Sequence, residues 1–124
     1  MKQRLPQNAV EGVDANTWLR LGTLLMQHRG EVLMPHDIAN RLGVHRPPVM
    51  AMIIVLGRQA LVKRRYCIYH RCSEAPVAYR DFEDGFQPTP WVCPECDDEI
   101  TSPTELRYDL LCLVPEQLDL ELEL

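Results

Sequence analysis

The sequence predicts an α+β protein in which helices come first and strands follow. Up to about residue 58, apolar side chains recur at helical spacing, as with Trp18, Leu21 and Leu25 on one face. Residues 61–82 are instead rich in Val, Tyr and Ile, which is typical of strands. Four of the five cysteines and one of the four histidines, His70, lie between residues 67 and 96. All five cysteines lie in the strand-rich half of the chain, and the helical half has none.

In the first half, residues 1–13 lack periodicity and are expected to form a flexible tail. Gly30 provides a stop for a first helix, and Pro35 fits the first position of a second helix that Gly43 ends. A short extended link at residues 31–33 joins the two. The predicted helices cover residues 16–28, 35–41 and about 47–58.

In the second half, two strands are predicted at residues 61–72 and 77–82, followed by a turn at Asp84-Gly85. Ser102 and Glu105 form a capping-box pattern, which predicts a C-terminal helix through about residue 113. Leucine and acidic residues then alternate over residues 118–124, and this period of two predicts a strand.

The net charge of −5 hides a strong asymmetry along the chain. Residues 1–65 hold ten Lys/Arg and four Asp/Glu, whereas residues 66–124 hold three and fourteen. The acidic half would repel a phosphate backbone, and the basic half could meet one or contact an acidic partner. No apolar run approaches the roughly 18 residues that a membrane span needs, and the N-terminus lacks a secretion signal. We therefore expect a cytoplasmic protein with no membrane contact.

The Cys93-Pro94-Glu95-Cys96 motif has the spacing at which two thiolates bind one metal ion through a tight turn. Backbone amides of such a loop can donate hydrogen bonds to the sulfurs. Cys67, His70 and Cys72, about 20 residues upstream, are at the distance along the chain that completes a tetrahedral zinc site. The candidate ligands are therefore Cys67, His70, Cys72, Cys93 and Cys96, and the expected cofactor is one structural Zn²⁺ per chain.

Any two of Cys67, His70 and Cys72 could complete the site, so one of the three is expected to be spare. On a strand His70 and Cys72 point to the same side and Cys67 to the other, and Cys72 is the preferred ligand. A catalytic zinc is disfavoured, because the chain has neither an H-E-x-x-H motif nor a deaminase-type His-x-Glu before the C-P-x-C. No phosphate-binding loop or nucleophile motif is present either, so we expect no enzyme.

The stretch Asp37-Ile38-Ala39-Asn40-Arg41-Leu42-Gly43-Val44, with the apolar residues after it and Lys63-Arg64-Arg65, resembles the winged helix-turn-helix superfamily. The resemblance covers about residues 16–82 and implies a winged-helix core at 14–66. A zinc-ribbon-like subdomain is expected at 67–100, and the C-terminal helix and Leu/acid segment at 101–124. The superfamily includes both DNA-binding proteins and protein-docking modules.

The third predicted helix departs from the pattern of a DNA-reading helix. With Val49, Ile53 and Leu56 turned inward, its outer face carries Met50, Ala51, Ile54 and Val55. A DNA-reading helix needs polar side chains there to contact base edges. This apolar face is therefore expected to be buried against protein: the zinc half of the same chain, a second copy of the chain or another subunit.

The function expected from the sequence is that of a non-enzymatic, zinc-stabilised winged-helix adaptor in a complex or regulatory system. The alternative is a winged-helix transcriptional regulator that binds DNA through its basic half. Nucleic-acid binding is expected to be weak or absent, and its candidate contacts are Arg46, Arg58, Lys63, Arg64 and Arg65.

Overall fold

A computed structural model describes residues 2–122 of the chain. Over these residues the helices are α1 (Ala15–Gln27), α2 (Pro35–Leu42) and α3 (Arg46–Arg58). The strands are β1 (Gln3–Arg4), β2 (Val32–Leu33), β3 (Lys63–His70), β4 (Ala78–Asp81), β5 (Trp91–Val92), β6 (Glu99–Ile100), β7 (Leu106–Leu113) and β8 (Leu120–Glu121). The α+β class is confirmed. None of these helices is long and apolar enough to cross a membrane.

The chain divides into two compact units. Unit 1 comprises residues 1–64 and 112–124, and unit 2 comprises residues 65–111. This division differs from the predicted boundaries at residues 13, 66 and 100, because the chain returns to unit 1 after residue 111. Residues of β3 and β7 belong to both units.

The three helices of unit 1 begin and end close to where local sequence signals place them. Asp14 caps α1, since its Oδ1 accepts a hydrogen bond from the Thr17 amide at 2.7 Å. Pro35 is the first residue of α2, and Gly43 ends that helix with a φ of 66°, a left-handed conformation that glycine adopts without strain. Helix α2 packs against both α1 and α3. The buried faces contain Trp18, Leu21, Leu25, Ile38, Ala39, Leu42, Val49, Met52, Ile53 and Leu56.

The predicted C-terminal helix is wrong, because residues 106–113 form strand β7. The capping box of Ser102 and Glu105 is present, but it starts a single 3-10 turn at Pro103–Glu105. The four-stranded sheet has the order β2-β7-β3-β4, so β7 is an inner strand with a neighbour on each side. Three consecutive buried residues, Leu110, Leu111 and Cys112, suit such a strand. Sheet pairing thus overrides the local helix signal, which lies only in the cap.

The two chain ends of unit 1 pair with each other. Strand β1 runs parallel to β8, and Gln3 faces Leu120. Leu5, Leu118 and Leu120 are buried, so residues 3–5 are part of the fold, although a flexible tail was expected there. The alternating segment contains a strand at Leu120–Glu121. Glu123 and Leu124, its last two residues, lie outside the described part of the chain.

Candidate metal centre

The C-P-x-C motif lies in the turn of a β-hairpin in unit 2. Strands β5 and β6 are antiparallel, with Trp91 opposite Ile100, and residues 93–98 connect them. Two backbone hydrogen bonds of 2.9 Å close this turn, from the Cys93 amide to the Asp98 carbonyl and from the Asp97 amide to the Cys93 carbonyl. Asp97 has a φ of 62°, a left-handed conformation that Asp tolerates better than most residues. The hairpin therefore fixes the positions of both Cys93 and Cys96.

The other two candidate ligands come from the end of β3 and the turn after it. His70 is the last residue of β3 and is almost completely buried. Cys72 lies two residues further on, in a turn that the Ser73 amide closes by donating to the His70 carbonyl at 3.1 Å. Cys72 is exposed, whereas Cys93 is buried and Cys96 partly buried.

These side chains form one cluster of possible metal ligands. The imidazole of His70 and the sulfurs of Cys72, Cys93 and Cys96 each offer one ligand atom, and all four atoms lie within 4.8 Å of one another. The Cys72 and Cys93 sulfurs are 3.8 Å apart, and the Cys96 sulfur is 3.5 Å from Nδ1 of His70.

The geometry of the cluster fits tetrahedral zinc. With zinc–sulfur bonds of about 2.3 Å and zinc–nitrogen bonds of about 2.0 Å, a tetrahedron places two sulfurs about 3.8 Å apart. It places a sulfur and a nitrogen about 3.5 Å apart. Both distances match those in the cluster, and three thiolates with one imidazole are a common donor set for structural zinc. The cluster could therefore hold a metal ion, and its chemistry is compatible with zinc.

Cys67 lies outside the cluster, so it is the spare residue of the five candidates. It lies three positions before His70 on β3, and side chains at odd spacing on a strand point to opposite faces. Cys67 is buried, and it pairs with Tyr79 of the neighbouring strand β4. Burial raises the pKa of the Cys67 thiol, and the negative charge of Asp109 raises it further. A buried protonated thiol of this kind acts as a small apolar core group.

Hydrogen bonds within the cluster shift the pKa values of its cysteines in opposite directions. Desolvation and hydrogen bonds with the Cys96 and Cys93 sulfurs raise the pKa of Cys72 to about 12. Burial alone would raise the pKa of Cys93, but hydrogen bonds from the backbone amides of Cys96 and Glu95 and from neighbouring side chains bring it below its usual value. A metal that binds here must displace the proton on Cys72.

The cluster is joined to the small hydrophobic core of unit 2. Cys93 belongs to a group of buried residues, and Trp91 and Cys96 pack against that group. The buried members are Ile68, Val77, Cys93, Ile100 and Leu106. Trp91, two residues before Cys93 in the chain, thus packs on the same core group to which Cys93 belongs. A ligand that is also a core residue ties metal binding to the packing of this unit.

The predicted docking face of α3 is neither fully buried nor fully exposed. Met50, Ala51, Ile54 and Val55 are each partly exposed. Their neighbours Val49, Met52, Ile53 and Leu56 form the fully buried face of the same helix. The third helix thus has the two apolar faces that the sequence predicts.

The basic candidates separate into exposed residues and one buried residue. Arg46, Arg58, Lys63 and Arg65 are exposed. Arg64 is only 8% exposed, and its Nη1 donates to the Ile54 carbonyl of α3 at 3.2 Å. Arg64 is therefore a structural residue, and the alternation of side chains along β3 is the sequence signal that separates it from Lys63 and Arg65.

An aromatic cluster in unit 2 has no counterpart in the sequence predictions. The ring of Tyr108 lies 4.5 Å from that of Phe86 and 5.4 Å from that of Tyr66, and Phe82 packs on Tyr66 at 5.2 Å. The Tyr108 hydroxyl accepts a hydrogen bond from the Gln87 amide at 2.9 Å. Tyr66 and Tyr108 of this aromatic cluster are far in sequence from each other and from the two phenylalanines. No local pattern therefore indicates that these rings associate.

Comparisons with known proteins found no matching family model, and neither a curated protein nor a solved structure matches the chain.

Proposed function

We propose that this chain is a non-enzymatic, zinc-stabilised protein that docks onto other proteins. The observation that carries the proposal is the cluster of His70, Cys72, Cys93 and Cys96, in which the Cys72–Cys93 and Cys96–His70 distances equal two edges of a zinc tetrahedron. Four protein ligands fill the coordination sphere of zinc, whereas a catalytic zinc keeps one position for water or substrate. The site therefore favours a structural role.

The small core of unit 2 supports the same role. A protein unit shorter than roughly 70–80 residues seldom gains enough stability from its hydrophobic core alone. Unit 2 covers residues 65–111 and has few fully buried apolar residues. A zinc ion that joins the end of β3 to the β5–β6 hairpin would supply the missing stability.

The proposed architecture is a winged helix-turn-helix with a zinc-binding insertion. The order α1-β2-α2-α3-β3 agrees with the helix-turn-helix and first wing strand that the sequence resemblance implies. In this proposal β3 and β7 are the two wing strands, since they are neighbours in the sheet. Residues 71–105, which include the β5–β6 hairpin, then form the insertion between them.

The outer face of α3 is the proposed docking surface. In a DNA-binding winged helix the third helix reads base edges with polar side chains, but Met50, Ala51, Ile54 and Val55 are apolar here. Partly exposed Met and Ile side chains adapt to an apolar surface on another protein. The proposed partner is therefore a protein, and the proposed mode is burial of this helix face.

The test is a capture experiment with full-length protein from native host extract, with and without nuclease, alongside light scattering of the purified chain. Met50→Glu with Ile54→Glu places two charges on the docking surface. Asn16→Glu with Asn40→Glu adds the same charges at exposed polar positions of α1 and α2 as a matched control. We expect the first variant to fold, retain zinc and lose the partner or self-association by at least tenfold, and the control to bind as wild type.

Equal binding by both variants would place the docking surface elsewhere. Failure of the Met50/Ile54 variant to fold would show that this face is core.

The alternative function, DNA binding, is supported by the exposed Arg58, Lys63 and Arg65. Partners that disappear entirely on nuclease treatment would favour that function, and nanomolar binding to one duplex sequence at physiological salt would establish it.

A further inference from the structure

Cys72 differs from the other ligands of the proposed zinc site in its position. It is the exposed member of the cluster, whereas His70 and Cys93 are almost completely buried and Cys96 is partly buried. Its neighbours Arg71 and Glu74 are exposed as well. A solute that approaches the cluster from solvent therefore reaches this cysteine first.

The Cys72 sulfur also has a second sulfur within reach. The Cys93 sulfur lies 3.8 Å away, and a disulfide bond requires the two sulfurs to approach to about 2.05 Å. Cys93 is fixed by the hydrogen bonds of the hairpin turn, and Cys72 lies in an exposed turn with one backbone hydrogen bond across it. A shift of about 1.8 Å, mostly of Cys72, would join them.

We propose that Cys72 is an oxidation site through which hydroperoxides release the metal. This inference rests on the proposed zinc site. The Cys72 thiolate attacks one oxygen of hydrogen peroxide, and the O–O bond breaks. A sulfenic acid and a hydroxide ion form. The Cys93 thiolate then attacks the Cys72 sulfur, the S–O bond breaks, and a second hydroxide leaves. Two thiolates are oxidised to one disulfide, and one peroxide is reduced to two hydroxides.

Formation of the disulfide removes two ligands of the site at once. Only His70 and Cys96 remain, and two ligands bind zinc far more weakly than four. Cys93 is also a member of the unit 2 core, so loss of the metal from Cys93 removes a cross-link at the edge of that core. Oxidation of the exposed cysteine is thus coupled to the fold of unit 2, and a thiol reductant with zinc reverses it.

The spacing of cleavage sites allows the proposed disulfide to be identified directly. Trypsin cuts after Arg71, Arg80 and Arg107, which separates Cys72 from the hairpin cysteines and from Cys67 and Cys112. A glutamate-specific protease then cuts at Glu95, between Cys93 and Cys96. Each cysteine therefore lies on its own peptide, and mass spectrometry can assign every link.

The experiment treats zinc-loaded full-length protein with hydrogen peroxide while a chromogenic chelator records zinc release. We expect one zinc released for each disulfide, a dominant link between Cys72 and Cys93, and recovery of zinc binding after reduction. Cys67→Ala with Cys112→Ala removes the two buried cysteines outside the cluster and should change none of these results. Cys72→His keeps a metal-binding side chain without a thiol and should retain zinc at peroxide doses that empty the wild type.

Several results would overturn the proposal. A link confined to Cys93 and Cys96, or over-oxidation of Cys72 with no link, would show that the pair is wrong. Zinc that stays bound while peroxide reacts would refute the oxidation inference alone. Protein that binds no zinc would instead contradict the proposed function on which the inference rests. If Cys72→His does not bind zinc, the disulfide link found in the wild-type peptide map still tests whether Cys72 pairs with Cys93.

Discussion

Removal of the metal is expected to unfold unit 2 and leave the helical core of unit 1 folded. The proposed ligands His70, Cys72, Cys93 and Cys96 all belong to residues 65–111, whereas the buried faces of α1, α2 and α3 belong to unit 1. Zinc contributes on the order of 10 kcal/mol to folding in small metal-stabilised modules. The net stability of an ordinary domain is about 5–15 kcal/mol, so loss of the metal can remove the entire margin of a small unit.

The two tryptophans provide a reporter for each unit. Trp18 is completely buried on α1, and Trp91 is partly buried beside Cys93. Fluorescence of the wild type reports both units, and fluorescence of Trp91→Phe reports unit 1 alone. On addition of a chelator we expect the wild-type emission to shift to the red and the Trp91→Phe emission to remain unchanged.

A matched pair of cysteine variants separates loss of a ligand from loss of core volume. Cys93 and Cys112 are both completely buried, but only Cys93 is in the cluster. Cys93→Ala should lose zinc and unfold unit 2, whereas Cys112→Ala should keep zinc and cost about 1 kcal/mol, as core substitutions commonly do. Equal effects of the two substitutions, or chelated protein with wild-type emission and melting, would refute the reasoning.

Two further predictions concern proton release and the contact between α3 and β3. Because the pKa of Cys72 is raised to about 12 in the metal-free cluster, zinc must displace its proton at neutral pH. The apparent zinc affinity should therefore fall as pH falls from about 8 to 6, by about tenfold per pH unit for each proton released, in a competition titration; a flat profile would contradict this. A Cβ on Gly57 would overlap the Arg64 side chain, so Gly57→Ala should cost about 1–3 kcal/mol in denaturant unfolding. In an Arg64→Ala background the same change should be neutral or stabilising, since Ala favours helix over Gly by about 1 kcal/mol; equal costs in both backgrounds would show that the overlap is not the cause.

The sequence predicted best those features that depend on neighbouring residues. The three helices lie within one residue of their expected bounds, because caps, proline positions and the apolar period act within a few residues of each end. The spacing of Cys93 and Cys96 likewise indicated a tight turn, which is present between β5 and β6. Strand alternation placed Cys67 on the opposite face of β3 from His70, in agreement with the cluster.

The sequence predicted least well those features that depend on distant pairing. The cap of Ser102 and Glu105 is a true local signal, but the segment after it becomes β7 because β2 and β3 supply partners on both of its edges. Likewise, Gln3 forms a strand only because Leu120, from the other end of the chain, pairs with it. These are long-range contacts, and no window of adjacent residues contains them.

The sequence alone was enough to predict the α+β class and the positions of α1, α2 and α3. It also provided five candidate ligands, but it did not decide which two of Cys67, His70 and Cys72 would join Cys93 and Cys96. The tertiary structure selected His70, Cys72, Cys93 and Cys96 and excluded Cys67. It also placed the Arg64 side chain against α3 and residues 106–113 in the sheet as β7. The physical reason is the range of the interactions: helix caps and strand alternation act between near neighbours, whereas a tetrahedral site and an inner strand require segments distant in sequence to meet.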